Sequence, residues 1–399
     1  MTKPESGHGS LATLKADTRL ALGGRDPFAH HGYVNTPVYH ASTLLYRTAA
    51  DFAARRSPYS YGRRGTPTSE ALQKALQAIE GPACAGVALL PSGLAAISSA
   101  LLSALKSGDH LLVVDSVYGP TRKFCDTVLV RYGVETTYYD PVIGSDIAAL
   151  FRPNTTAVFT EAPGSLSFEM QDIPAIAEAA HRHGAKVLMD NTWASPLYFP
   201  ALERGVDLAI QSGTKYIGGH SDLMLGVVAA NEATWPTLSE TVYTMGLCVG
   251  PDDINLGLRG LRTMGVRLQR HQESGIAAAR WLEGRPEVLR VIHPALPSHP
   301  QHDIWTRDFT GACGLFAVVL KPAPDKAVDA FLDALTLYGI GASWGGYESL
   351  AIPFDLASYR TATTWEPGGP CLRIHIGLED VGDLIADLER GFAAMAAAS

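Results

Sequence analysis

The sequence predicts an α/β protein: a large, mostly parallel sheet with helices on both faces, followed by a smaller α+β domain. Three observations point there. Between residues 68 and 230, short apolar runs alternate with stretches of helical period, the pattern of parallel strands joined by crossover helices. The chain has 399 residues, which at roughly 150 per domain makes two to three domains. It is 46% hydrophobic and 18% charged, a globular composition that excludes wholesale disorder.

Residues 1–20 hold no apolar run long enough for a signal peptide or a membrane span, and neither does any later segment. From Gly23 to Ser60 the chain mixes Gly, Pro, His and Tyr with little periodicity, so 1–60 is expected to be an extended arm that drapes over a partner. The stripe Leu72, Leu76, Ile79 predicts a helix capped by Thr68. Strands follow at 87–91, 110–115, 134–140, 156–163, 185–191, 206–212 and 223–230. The intervening segments 92–109, 121–133, 145–153 and 173–184 read as helices. This block, 61–255, is expected to form one domain. Beyond it, 256–399 reads as α+β, with helix to about 283, strands at 287–294, 314–322 and 371–379, and helices at 325–339 and 380–397.

Composition narrows the function classes. There are 32 Lys and Arg against 40 Asp and Glu, a net charge of −8, which argues against a nucleic-acid binder. The five cysteines are spread out, with no C-x-x-C pair, so neither a disulfide framework nor a zinc site is expected and a reducing cytoplasm is. His30-His31 and His181-x-His183 lack a carboxylate set to complete a metal site, so no metal is expected. The G-x-G-x-x-G fingerprint of nicotinamide binding after a first strand is missing.

In an open α/β sheet, ligands bind beyond the carboxyl ends of the strands. The first strand is followed by Ser92-Gly93-Leu94 opening a helix, an anion seat of bare amides. The next ends in a Gly/Pro turn carrying Tyr118. The fifth ends in Asp190. The sixth ends in Ser212-Gly213-Thr214-Lys215-Tyr216-Ile217-Gly218-Gly219-His220. Singly, each has a plainer reading: a helix cap, a packed tyrosine, a turn carboxylate. Lys215 is the least ordinary, a lysine in a small-residue loop after an apolar strand, where solvation is hard to keep. Together they match pyridoxal 5'-phosphate: amides and hydroxyls for phosphate, an aromatic plate for the ring, a carboxylate for the pyridine nitrogen, and a lysine for the aldehyde.

The run Asp190-Asn191-Thr192 followed by Ser212-x-Thr214-Lys215-Tyr216-x-Gly218-Gly219-His220-Ser221-Asp222 resembles the Cys/Met-metabolism family of pyridoxal-phosphate enzymes, over nearly the whole chain. The resemblance implies a fold-type I, aminotransferase-like architecture with a seven-stranded-type sheet. It implies that Lys215 bears the cofactor as a Schiff base and moves the Cα proton. Asp190 would pair with the pyridine nitrogen and Tyr118 would stack on the ring and assist proton transfer. Gly93, Leu94, Ser212 and Thr214 would bind the phosphate. Tyr61-Gly62-Arg63 resembles the family's Tyr-x-Arg motif, so Tyr61 and Arg63 would reach a neighbouring subunit's phosphate, which implies a homotetramer built from dimers with shared sites. Without the resemblance, Tyr61 to Arg64 reads as a solvated basic turn. Arg373, on an apolar strand, would pair with the substrate α-carboxylate.

Within the family, Ser343-Trp344-Gly345-Gly346-Tyr347 and Glu161-Ala162-Pro163-Gly164-Ser165 resemble the bacterial β-lyase branch. Ser343, Trp344 and Tyr243 are then further substrate-side residues. The implied reaction is α,β-elimination of L-cystathionine to homocysteine, pyruvate and ammonia, in the transsulfuration route to methionine, with cysteine desulfhydration beside it. The alternatives are a broader cysteine-S-conjugate β-lyase, or a γ-acting member such as a γ-lyase, a γ-synthase or an O-acetylhomoserine sulfhydrylase. Distal-pocket residues are expected on the arm and on a 235–255 loop.

Overall fold

The computed structural model describes residues 11–398; the arm's residues 1–10 and Ser399 lie outside the described residues. Seven strands form the first sheet: β1 (Gly86–Leu90), β2 (His110–Val114), β3 (Glu135–Tyr139), β4 (Thr155–Glu161), β5 (Lys186–Asp190), β6 (Leu208–Ser212) and β7 (Gly226–Ala230). Their order is β1-β7-β6-β5-β4-β2-β3. β2, β3, β4, β5 and β6 pair in parallel, whereas β7 runs antiparallel to both β1 and β6. The carboxyl ends of β1, β2, β4, β5 and β6 therefore open on one edge. β1, β2 and β7 are buried along their whole length, as expected of strands covered on both faces.

A second, antiparallel sheet holds β8 (Val288–Ile292), β9 (Leu315–Leu320), β10 (Leu350–Phe354) and β11 (Cys371–His375), in the order β10-β11-β9-β8. The helices Asp325–Ala334 and Val381–Ala398 share an apolar core with it. Arg373 thus sits on an interior strand of this sheet, not on an edge.

Several expectations change. The helix Pro67–Glu80 is capped by Thr66, not Thr68. Pro67 takes the first helical position, where a missing N–H does no harm, and Thr66 and Ser69 bond reciprocally as a capping box. Thr68 is instead buried, donating to the Pro37 carbonyl at 3.0 Å and accepting the Tyr39 N–H at 2.9 Å, which ties down the arm. The arm contains short helices at Ala16–Leu22 and Ala49–Ala53. The 235–255 segment is mostly helical, with Trp235–Thr244 and the start of Pro251–Arg262, each admitting a proline near its beginning. The helix predicted over 325–339 stops at Ala334. There the buried Asp387 carboxylate accepts the Thr336 N–H at 3.1 Å and the Leu337 N–H at 2.8 Å, drawing the chain off the helix. β10 carries Pro353, which an edge strand tolerates.

Candidate active site

The five strand ends surround a cavity of about 380 Å³. The structure brings Ser92, Gly93, Leu94, Tyr118, Asp190, Ser212, Thr214, Lys215, Ser343, Trp344 and Arg373 to its walls. After β1, Ser92 caps the helix Gly93–Ala104, its hydroxyl accepting the Ala95 N–H at 3.1 Å. The first-turn amides of Gly93 and Leu94 have no intrahelical carbonyl to bond. A Cβ added at Gly93 would fall 2.7 Å from Ser212 Oγ, so only glycine keeps helix start and hydroxyl this close. The Thr214 hydroxyl exchanges bonds with Leu225 in both directions, at 3.0 and 3.2 Å, which fixes the turn leading to Lys215.

Lys215 is the centre of the cavity's electrostatics. Its Nζ donates to Ser343 Oγ at 2.8 Å and stands 5.7 Å from the centre of the Trp344 ring. Burial, helped by the nearby Arg373 and opposed by Asp190, brings the amine down to about 8. Asp190 Oδ1 accepts both the Thr192 N–H, at 2.9 Å, and the Thr192 hydroxyl, which in turn accepts the Ser212 N–H at 2.9 Å. Burial raises the Asp190 carboxyl while the Thr192 bonds and Lys215 favour its ionised form.

Arg373 is buried, and one of its terminal nitrogens is spent on the carbonyls of Gly341, Ala342 and Ser343 at 2.9–3.2 Å. Those bonds leave the other guanidinium N–H groups for a ligand in the cavity that Arg373 lines. Tyr118 is part-exposed toward the cavity, and its N–H donates to Glu161 Oε2 at 2.8 Å. Burial first, then the charges of Asp190 and Glu161, push its phenol up, so it keeps its proton at neutral pH.

Two residues of the constellation stand in the motifs quoted above but receive no role from sequence. Thr192 links Asp190 to the Ser212 amide. Glu161 pairs with Asp190 in the sheet register, and burial and Asp190 together push its carboxyl well above the usual range. The signal available for Glu161 was a carboxylate closing an apolar strand, as for Asp190.

Tyr61, Arg63 and Tyr243 are not in this cavity. They line a second groove of about 680 Å³ between the arm and the helices Trp235–Thr244 and Pro251–Arg262. Arg63 donates to the Tyr243 carbonyl at 2.6 Å, and the Arg63 and Arg64 guanidiniums lie 4.5 and 3.4 Å from the Tyr243 ring centre.

Comparison with known proteins gives a consistent result. The profile of the family described as Cys/Met metabolism PLP-dependent enzyme matches residues 17–393. A putative cystathionine beta-lyase of Rhizobium johnstonii is 56% identical, covering 97% of this chain and 98% of its own. A cystathionine beta-lyase of Salmonella typhimurium is 45% identical, covering 96% and 99%. The crystal structure of metB from Corynebacterium glutamicum superposes with a TM-score of 0.88 at 31% identity, covering 96% of this chain and 99% of that one.

Proposed function

The chain belongs to the Cys/Met metabolism PLP-dependent enzymes, and from that premise we propose that it is a carbon–sulfur lyase that cleaves L-cystathionine on the β side. The observation that carries the reading is the position of Lys215: a half-buried amine brought down to about 8, sharing one cavity with Asp190 and Arg373. β-Lyase relatives matching along almost their full length support the choice of reaction.

The residues present fit the cofactor. The Gly93 turn is an anion cradle that any Cβ would fill, and Ser212 adds a hydroxyl beside it. Asp190 would hold the pyridine nitrogen, Lys215 the aldehyde carbon, and Tyr118 the ring face. When bound, pyridoxal phosphate supplies an electron sink for the carbanion at the substrate Cα. Arg373 captures the substrate α-carboxylate through its free N–H groups. Lys215, as the neutral amine, takes the Cα proton. The Cβ–S bond breaks with its electron pair going to sulfur, and the thiolate takes a proton from Lys215 or from the Tyr118 hydroxyl. Homocysteine leaves, and the remaining aminoacrylate adds water in solution to give pyruvate and ammonia. Trp344 and Ser343 close the substrate side, Ser343 by receiving the Lys215 N–H. Cysteine, with hydrogen sulfide as its leaving group, fits the same sequence of steps.

We read 1–60 as an arm, 61–255 as the cofactor domain and 256–399 as the C-terminal domain. Tyr61 and Arg63 lie outside their own protomer's cavity. In this reading they complete a neighbour's phosphate site in a dimer-based tetramer, and Tyr243 orients them. Among the described residues no helix is long and apolar enough to cross a membrane, and we place the enzyme in the cytoplasm. Incubation with L-cystathionine tests the reaction: pyruvate with homocysteine is expected, whereas 2-oxobutyrate with cysteine would show γ cleavage and overturn it.

A further inference from the structure

The segment between β10 and β11 leaves the C-terminal sheet and reaches the cofactor domain at the base of the Tyr118 turn. Its partner there is Asp115, the residue after β2, whose side chain is fully buried. Asp115 Oδ1 accepts the Thr361 N–H at 3.0 Å. Oδ2 accepts the Ala362 N–H at 3.1 Å, the Thr363 N–H at 2.9 Å and the Thr363 hydroxyl at 2.8 Å. Arg122 closes the set, donating to Oδ1 at 2.6 Å and to the Asp115 carbonyl at 3.0 Å. Three consecutive amides, the hydroxyls of Thr361 (3.4 Å) and Thr363 and a guanidinium on one carboxylate make a strong junction in a water-poor setting.

The same strap touches the turn a second time, at Gly119. A Cβ at Gly119, next to Tyr118, would collide with the Tyr359 hydroxyl, so the strap's Tyr359 packs directly on that glycine. The following residue, Arg360, reaches the loop that walls the cavity beside Tyr118, donating to Glu169 Oε1 at 2.9 Å and Ser167 Oγ at 2.7 Å. That loop is bonded to the Tyr118 turn through Ser165 N–H and the Ser116 carbonyl at 2.8 Å. The strap then runs on into β11, which carries Arg373.

We propose that Asp115 is a positioning residue: by anchoring the 359–363 strap it fixes the Tyr118 ring in the cavity and sets its place relative to Arg373. The proposal rests on the reading that Tyr118 faces the cofactor ring and that Arg373 holds the substrate carboxylate. Tyr118 N–H is held by Glu161, and the strap's contacts fall on Asp115, three residues before Tyr118, and on Gly119, directly after it.

The test is a double-mutant cycle on the cofactor-loaded enzyme, with Asp115→Asn, Tyr118→Ala and the double variant, reading kcat and KM for cystathionine and the cofactor's absorption band. Asp115→Asn places amide hydrogens against strap amides. It is expected to lower kcat about tenfold and to move the absorption band toward that of Tyr118→Ala. In the Tyr118→Ala background the same change is expected to lower kcat less than about twofold, because neighbours acting through one group do not add. Equal losses in both backgrounds, or no loss in either, would overturn the proposal. If Tyr118→Ala alone leaves kcat and the band unchanged, the role given to Tyr118 fails first and the proposal falls with it. Thr363→Val, which removes one hydroxyl from the junction, guards against an unfolded Asp115→Asn: a loss of roughly threefold, again confined to enzyme that has Tyr118, is expected.

Discussion

The Lys215 cavity and the Arg63 groove both gather charged and aromatic side chains, yet they treat charge differently. In the cavity, burial moves the ionisable groups: Lys215 down to about 8, and Asp190 and Glu161 up. In the groove, Tyr243 is half-buried and its phenol is lowered by the side-chain bond to Arg64 and by the charges of Arg64 and Arg63. A site that desolvates its own lysine can keep a neutral amine ready near neutral pH. A groove of solvated arginines on an aromatic platform does no proton chemistry by itself. It is suited to gripping an anion brought to it, which is the part a neighbouring subunit's phosphate plays in the proposed assembly.

The comparison can be broken most sharply at Lys215. Lys215→Ala is expected to lower kcat by about a thousandfold or more and to abolish the visible absorption of the bound cofactor. Arg63→Ala should keep that band in saturating cofactor. Equal spectral loss in both variants would erase the distinction between the two regions. Next in size is Arg373→Lys, which trades a forked guanidinium for a point charge. KM for cystathionine is expected to rise roughly ten- to a hundredfold, with a smaller change in kcat. A pure kcat effect would place Arg373 elsewhere in the reaction.

The groove is tested by mixing. Arg63→Ala alone is expected to weaken cofactor binding about tenfold. Unfolded and refolded together with Lys215→Ala, and assayed at a cofactor concentration too low to load Arg63→Ala alone, it should recover roughly a quarter of wild-type activity, because half of the random dimers hold one intact site. No recovery would mean that Arg63 serves its own protomer.

The smallest effect separates burial from function. Glu80 is buried outside both regions, bonded to Gln211 at 2.8 Å, and burial raises its carboxyl to about 8. A raised acid favours the folded state fully below the unfolded value near 4.5, and this contribution is lost as pH rises to about 8. Thermal stability attributable to Glu80 should therefore fall from mildly acidic pH to pH 8 and then level off. Glu80→Gln should flatten that slope in a melting series, leaving catalysis unchanged. An unaltered slope would mean that another group sets it.

How much of this was legible in sequence depended on whether a local pattern carried the answer. The Lys215 loop was plain, because a lysine among small residues after an apolar strand has few ordinary uses. Strand ends could be read from the alternation of short apolar runs with helices, and they converge because the central strands are parallel. Thr66 was passed over as a cap because Pro67 hid the helix start. β10 escaped because Pro353 interrupts it, and only its edge position makes that harmless. Asp115 and Glu161 act through partners distant in sequence, and Thr192 joins its near neighbour Asp190 to the Ser212 amide twenty residues on; the clamp on Asp115 spans the two sheets. No periodicity in the chain announces such a contact.

The central claim is that Lys215 is the amine that bears the cofactor. Borohydride reduction of the purified enzyme, followed by digestion and mass mapping, tests it directly. The account predicts the pyridoxyl group on the peptide containing Lys215, at close to one per chain. Labelling at another lysine, or none in an enzyme that still forms pyruvate from cystathionine, would contradict it.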